Sequence, residues 1–131
     1  LLRAMVEGLN YQFLQVIDGL KSSLGVTPDR FVAVGGGAQN AFWTQNKADM
    51  VGKPFEIPQI EEATPLGAAI LAGMGVGLYR DEQEAFERVY RAGHVLEPDL
   101  RLTAQYAERF QVFQRLHPAL REIHAELRKP G

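Results

Sequence analysis

The sequence predicts an α/β fold, in which helices pack on a small β-sheet. Two short runs rich in β-forming residues, Phe31 to Val34 and Phe55 to Ile57, alternate with segments of helical periodicity. Three consecutive glycines separate the first run from the helix that follows it. A sharp glycine turn between a strand and a helix is a common connection in α/β proteins, so both observations favour the same fold class.

The first predicted helix has apolar residues at helical spacing from Leu2 to Leu24 and ends at Gly25, which is suited to a left-handed stop. It begins with no capping side chain before Leu2. Two strands are also few for a self-sufficient sheet. We therefore expect the chain to have been cut from a longer protein.

The remaining helices are predicted from their ends. One is expected from Gln39 to about Val51, where Gly52 and Pro54 stop it. Three others are predicted to start at capping residues: one at Thr64, running to about Val76, one at Asp81, running to about Ala92, and the last at Thr103. We expect Val95 to Pro98 to be a brief extended piece, Pro118 to kink or break the last helix, and residues 128–131 to fray.

The composition excludes several classes of function. The chain has 131 residues, 46% hydrophobic residues and a net charge of -2, so no excess positive charge attracts it to nucleic acid or an anionic membrane. The most apolar run, Leu66 to Leu78, is shorter than the roughly 20 residues of a membrane span. Cysteine is absent, which excludes disulfide and thiolate chemistry and fits a reducing cytoplasm. We expect no nucleic-acid or membrane partner.

The glycine turn Gly35–Ala38 is the strongest candidate for a binding site. Glycine allows a sharp turn and the close approach of a ligand, and the following helix presents free N–H groups and a positive dipole end. Such a turn suits a phosphate or a flat nucleoside, and Asn40 could hydrogen-bond to a ribose or adenine. The same pattern also fits a tight connection that binds nothing. It is neither a dinucleotide-binding fingerprint nor a Walker loop.

Other polar and aromatic residues are interpreted as structural. Trp43 is interpreted as a core residue rather than as one that flanks a nucleotide pocket. Asp49 is interpreted as a capping or ion-pair residue rather than as a catalytic one. Glu61 and Glu62 precede a helix, where its dipole favours acids. Glu7 is expected to pair with Arg3. The three histidines have no cysteine partners, so no zinc site is predicted.

The Gly/Ala-rich helix after Pro65 is intrinsically weak, because each glycine costs up to about 1 kcal/mol relative to alanine. Its small side chains leave room for another backbone. We expect burial to stabilise it beside the candidate binding turn, so that a Gly67→Leu change would disrupt folding or the affinity for a nucleotide ligand.

The ordered residues around the turn resemble those of FGGY carbohydrate kinases. The family pattern GGGAxN-xx-W-x-Q-xx-AD-xx-G-x-P matches Gly35-Gly36-Gly37-Ala38, Asn40, Trp43, Gln45, Ala48-Asp49, Gly52 and Pro54. The resemblance continues upstream in Arg3 to Gly8 and downstream in Thr64 to Ala69, Ala72-Gly73, Gly75 to Tyr79, Pro98-Asp99 and Tyr106 to Phe113. It covers nearly the whole chain.

The resemblance implies an actin-like, ribonuclease-H-like ATPase fold, of which this chain would be a helix-rich carboxy-terminal segment. It implies ATP and Mg²⁺ as cofactors, with nucleotide contacts from Gly36, Gly37, Ala38 and Asn40. Residues 1–131 would belong to the carboxy-terminal nucleotide-binding domain, without the start of that domain and without the amino-terminal domain. The implied reaction is transfer of the ATP γ-phosphoryl group to a sugar or polyol hydroxyl.

The family's phosphate loop, sugar pocket and catalytic aspartate match nothing in this sequence. No catalytic residue or metal ligand is therefore assigned, the sugar would bind through the missing domain, and the chain alone is expected to be inactive. The spacing from the glycines to Trp43 is most similar to that of xylulose kinases. Family members are often dimers, so a homodimer is expected, in the cytoplasm. Two alternatives stay open: a non-catalytic actin-like nucleotide-binding protein, and a helical interaction module.

Overall fold

The computed structural model describes residues 1–60 and 62–128. Glu61 of the predicted acidic pair and the last three residues of the predicted frayed tail lie outside this range. The chain divides into two compact units. The first comprises Leu1–Thr27, Asp49–Gly52 and the chain from Pro98 onward, and the second comprises Pro28–Ala48 and Lys53–Glu97.

The first unit is built on two long helices, α1 (Leu2–Leu24) and α5 (Leu100–Leu127). As predicted, α1 ends at Gly25, which has a left-handed φ of 66°. The core of this unit is an aromatic cluster. Tyr11 stacks on Phe113 with ring centroids 5.0 Å apart and meets Tyr106 edge-on at 6.3 Å. The buried members Tyr11, Met50 and Tyr106 are joined by Leu14, Leu102, Phe110 and Phe113.

Polar contacts in the same unit hold α1 against α5. The predicted Arg3–Glu7 pair is confirmed at 2.9 Å, and the Tyr106 hydroxyl donates to the same Glu7 carboxylate at 2.9 Å. Burial acts to raise the pKa of Glu7, but the hydrogen bonds from Arg3 and Tyr106 outweigh it, so the net shift is downward. The carboxylate is therefore held ionised by partners on both helices.

The start of α5 differs from the prediction. The helix begins at Leu100, and Asp99 rather than Thr103 caps it, with its carboxylate accepting from the N–H of Arg101 at 2.9 Å. The Thr103 hydroxyl donates instead to the carbonyl of Asp49 at 2.7 Å. Pro118 does not break α5, which continues to Leu127, because proline removes one backbone donor while the turns on either side keep theirs.

The second unit contains a three-stranded sheet in the order β1-β2-β3. Strand β1 (Phe31–Val32) pairs in parallel with β2 (Phe55–Ile57), and β2 pairs antiparallel with β3 (His94–Leu96). The first strand is shorter than the predicted Phe31 to Val34, although Ala33 still donates to the carbonyl of Glu56 at 2.8 Å. The third strand, predicted only as an extended piece, completes the sheet and pairs with the edge of β2 that β1 leaves open.

Three helices follow the strands of the sheet: α2 (Ala41–Val51), α3 (Ala63–Gly75) and α4 (Glu82–Val89). The predicted cap of α4 is confirmed, since Asp81 accepts from the N–H of Glu84 at 2.9 Å. The predicted cap of α3 is wrong. Glu62 is the extended residue before the helix, so Thr64 and Pro65 lie inside the first turn, where a missing N–H costs no intrahelical bond.

None of the helices in residues 1–60 and 62–128 combines the length and hydrophobicity that a membrane span requires.

Candidate functional site

The glycine turn follows β1 and changes the direction of the chain within a few residues. Gly35 has φ 84° and ψ 176°, a conformation that is essentially restricted to glycine. Gly36–Gln39 then form a single 3₁₀ turn, in which the N–H of Ala38 donates to the carbonyl of Gly35 at 3.0 Å. The predicted helix from Gln39 is thus divided into this 3₁₀ turn and the separate helix α2.

Asn40 joins the turn to α2 as a capping residue. Its side-chain oxygen accepts from the N–H of Trp43 at 3.0 Å, and its carbonyl accepts from the N–H of Thr44 at 3.0 Å. The side-chain oxygen therefore satisfies one of the donors that a helix leaves open at its start. Its amide nitrogen takes no part in this capping bond.

A cleft of ≈ 680 Å³ opens beside the turn. Its size is within the range of about 300–1,000 Å³ that is usual for small-molecule sites. The lining residues come from the turn, from the end of β2 with the segment after it, and from the start of β3: Gly36, Gln39, Ile57, Pro58, Gln59, Ile60, Glu62 and His94. The wall is therefore partly apolar, with two carboxamides, one carboxylate and one imidazole around it.

The four predicted nucleotide-binding residues have different positions relative to this cleft. Gly36 lines it, and no atom lies within 4 Å of the point where a Cβ at Gly36 would be. Gly37 faces the Trp43 ring, with Cζ3 3.8 Å from an added Cβ. Ala38 is buried at 6% exposure, and Asn40 caps α2. The structure thus brings Gly36 to the cleft and places the other three around it.

Four polar residues that line the cleft were not assigned to a site from the sequence: Gln39, Gln59, Glu62 and His94. Gln39 occupies a variable position of the glycine motif, so the motif gave no reason to select it. Gln59 is held by a hydrogen bond from its side-chain nitrogen to the carbonyl of Ala92 at 2.9 Å, which connects the segments after β2 and before β3. Only the strand pairing, which is not visible in sequence, places these residues together.

Trp43 is half-buried and lies next to the glycine turn. Its ring contacts the Gly37 side of the turn, and the ammonium of Lys47 lies over the ring, 4.9 Å from its centroid. Burial lowers the pKa of Lys47. The half-buried tryptophan ring therefore packs beside the turn.

A buried acid lies on β2. The Tyr90 hydroxyl donates to Glu56, and the Arg30 guanidinium lies 3.5 Å from the other carboxylate oxygen. The hydrogen bond to Glu56, followed by burial and the carboxylate charge, raises the pKa of Tyr90. These contacts satisfy a carboxylate in the sheet.

The remaining candidates have structural contacts. The Asp49 carboxylate accepts from the N–H of Asp99 at 2.9 Å and so contacts the capping residue of α5. His117 and His124 line a separate cavity of ≈ 510 Å³ in the first unit, with ring centroids 6.4 Å apart. Among the residues that the structure describes, no three His, Asp or Glu side chains are grouped so that they could hold a metal ion.

Comparisons with known proteins identify the family of the chain. The sequence model of the FGGY family of carbohydrate kinases, C-terminal domain, matches residues 1–76. The autoinducer-2 kinase of Photorhabdus laumondii is 32% identical over 126 residues, which cover 96% of this chain and 22% of that protein.

Two solved structures have a similar fold. The ligand-bound xylulose kinase from Lactobacillus acidophilus superposes with a TM-score of 0.80 at 23% identity, covering 95% of this chain and 25% of that one. The Plasmodium falciparum glycerol kinase with ADP gives a TM-score of 0.69 at 26% identity, covering 86% of this chain and 23% of that one.

The chain thus spans about a quarter of the length of these proteins or less. The predicted fold class, a helix-rich part of the actin-like, ribonuclease-H-like ATPase fold, is confirmed by the structural matches. Because the family model matches more than half of the chain, we conclude that the protein belongs to the FGGY family of carbohydrate kinases.

Proposed function

We propose that this chain forms the nucleoside-binding part of an ATP-dependent carbohydrate kinase. The whole protein would transfer the ATP γ-phosphoryl group to a hydroxyl of a sugar or polyol. The observation that carries the proposal is the position of Gly36 on a cleft of ligand size, in the turn between strand β1 and helix α2. The relatives named above are kinases of this family, which supports the same assignment.

The residues around the cleft fit a nucleoside. An added Cβ at Gly36 would enter open space, so the glycine leaves room for a flat ring or a ribose against the backbone. The carboxamides of Gln39 and Gln59 can each donate and accept, as the polar edge of a base requires. Ile57 and Pro58 supply apolar surface for its face.

Gly37, Ala38 and Asn40 complete the proposed nucleotide-binding set with Gly36. Gly37 keeps the turn close to Trp43, and Ala38 fixes the turn by its bond to Gly35. The amide nitrogen of Asn40 would be the group that reaches the ribose or adenine, because its oxygen is engaged as a cap.

When bound, Mg-ATP supplies the transferable phosphoryl group, and the metal ion neutralises charge on its phosphates. The residues of this chain would bind the nucleoside end, orient it and exclude water from one side. We assign no catalytic residue or metal ligand within this chain.

Other features of the whole protein follow as proposals. Residues 1–131 would be part of the carboxy-terminal nucleotide-binding domain and inactive without the rest of the kinase. The acceptor would be a sugar or polyol, with a xylulose-like ketose the first to try because of the spacing between Gly35 and Trp43. We propose a cytoplasmic location, where ATP is available, and a homodimer.

Calorimetric titration of Mg-ATP into the protein expressed from its complete reading frame tests the nucleotide site. We expect saturable binding that Gly36→Ala weakens, because the added methyl group would occupy part of the cleft. Gly67→Ala is the matched control, since it also adds a methyl group in open space but on helix α3. An absence of binding, or equal weakening by both variants, would contradict the proposal.

A phosphotransfer assay with a panel of ketoses, aldonates and polyols then tests the reaction. Release of ADP that depends on one acceptor is the expected result. ATP binding without transfer to any acceptor would instead favour a non-catalytic nucleotide-binding protein.

A further inference from the structure

Thr44 makes an unusual hydrogen bond for a threonine within a helix. Its side chain is among the most buried in the chain, at 1% exposure. Threonine hydroxyls in helices commonly donate to the carbonyl three or four residues earlier. Here the hydroxyl donates instead to the carbonyl of Ala38, six residues earlier, at 3.2 Å. The bond therefore leaves α2 and reaches back into the glycine turn.

The bond closes a short chain of hydrogen bonds that begins at Gly35. The N–H of Ala38 donates to the carbonyl of Gly35, and the carbonyl of Ala38 accepts from Thr44. The backbone N–H of Thr44 donates to the carbonyl of Asn40 at 3.0 Å. One residue of α2 is thus bonded to both the turn and the residue that caps the helix.

The position of the Ala38 carbonyl matters for the cleft. A peptide group is planar, so fixing the carbonyl of Ala38 also fixes the direction of the N–H of Gln39. Gly36 and Gln39, which precede and follow Ala38 in the sequence, both line the cleft. A rotation of this peptide plane would change the shape of the turn between the two lining residues.

We propose that Thr44 is a positioning residue, whose hydroxyl holds the glycine turn in the form that accepts the nucleotide. The inference rests on the proposed function of the turn. Thr44 occupies the variable position between Trp43 and Gln45, so the family motif assigns it no role. A side chain that only filled space would be replaced equally well by valine, whereas a directed hydroxyl would be replaced only by serine.

Two substitutions separate these roles. Thr44→Val keeps the shape of the side chain and removes the hydroxyl. Thr44→Ser keeps the hydroxyl and removes a methyl group, which leaves a small void. Thr103→Val is the matched control, because the Thr103 hydroxyl also donates to a backbone carbonyl, that of Asp49, but within the first unit.

The experiment measures KM for ATP, kcat and amide hydrogen exchange of residues 35–40 in the protein expressed from its complete reading frame. We expect Thr44→Val to raise KM for ATP roughly two- to tenfold, the range that the loss of one hydrogen bond produces. Its kcat should change less than its KM, and the turn amides should exchange faster. Thr44→Ser should restore KM, and Thr103→Val should leave both KM and turn exchange unchanged.

Each other outcome has a distinct meaning. A wild-type KM in Thr44→Val, or an equal rise in Thr44→Ser, would overturn the positioning role while the nucleotide site stands. If the wild-type protein shows no use or binding of ATP, the proposed function fails and with it the role toward nucleotide. Exchange of residues 35–40 in Thr44→Val would then still decide whether the hydroxyl holds the turn.

Discussion

The glycine turn Gly35–Ala38 and helix α3 belong to the same compact unit and are both rich in glycine, yet they use it differently. Gly35 has a φ of 84°, where other residues are strained. Gly67 of α3 has no positive φ, and no atom lies within 4 Å of a Cβ added there. The comparison shows that the dihedral angle and neighbouring atoms of a glycine, and not its abundance, indicate whether glycine is required.

The two segments also differ in how their helices begin, namely α2 after the glycine turn and α3 itself. Asn40 caps α2 with its side-chain oxygen. Glu62, which precedes α3, makes no side-chain cap bond and lies on the cleft. The turn is thus tied to its helix by side-chain bonds, whereas the first turn of α3 depends on its backbone.

The largest effect on stability should come from Gly93, where glycine allows two backbone segments to approach closely. Glycine has this role in neither of the two segments compared above. Gly93 lies against β2, and an added Cβ would be 1.7 Å from the carbonyl oxygen of Ile57. Because the nearest atoms belong to the backbone of Ile57 and Pro58 and cannot rotate away, Gly93→Ala should force β3 away from β2. We expect a loss of about 3 kcal/mol in the free energy of unfolding, measured by urea titration. Wild-type stability of this variant would show that close approach does not require glycine here.

A smaller effect is expected at the turn. Gly35→Ala introduces no clash but places alanine in a conformation restricted to glycine. The expected loss is about 1–3 kcal/mol in the free energy of unfolding. If Gly35→Ala is as stable as Gly67→Ala in the same urea titration, the distinction between the two segments is wrong.

The role of Asn40 can be divided by two substitutions. Asn40→Ala removes the cap and should cost about 1 kcal/mol in stability. Asn40→Asp keeps the capping oxygen and removes the amide donor, so stability should be retained while ATP affinity falls. Differential scanning calorimetry and calorimetric titration measure the two effects. Equal loss of stability in both variants would contradict the capping role, and unchanged affinity in Asn40→Asp would remove Asn40 from the site.

The smallest effect is expected in α3. Gly67→Ala should stabilise the protein by up to about 1 kcal/mol, because alanine favours a helix and the position has room for its methyl group. This differs from the expectation, made from the sequence, that a large residue at Gly67 disrupts folding. If Gly67→Leu lowers the melting temperature of the protein expressed from its complete reading frame, the expectation made from the sequence is correct and the open space at Gly67 is filled in that protein.

Local rules predicted part of this fold well. The left-handed end of α1 at Gly25, the strand Phe55–Ile57 and the cap at Asp81 depend on nearby residues, and their signals are local. The cap at Asp99 was missed because Thr103 is also a good capping residue, and local pattern cannot choose between the two. The start of α3 at Ala63 was missed because Glu62, which precedes it, makes no capping bond that a sequence pattern could indicate.

The site was predictable only in part, for a similar reason. The glycine motif identified Gly36 from consecutive residues. Gln59 and His94 reach the same cleft through the pairing of β2 with β3, and the bond from Thr44 to Ala38 depends on how α2 is oriented. Neither the strand pairing nor this side-chain bond leaves a periodic or compositional signal in the sequence.

The central claim, that the glycine turn holds a nucleotide, is tested most directly by a crystal structure. The protein expressed from its complete reading frame would be crystallised with Mg²⁺ and a non-hydrolysable ATP analogue. We predict the nucleoside in van der Waals contact with Gly36, with Gln39 within hydrogen-bond distance of the base or ribose. A nucleotide bound without contact to residues 35–40 would contradict the account.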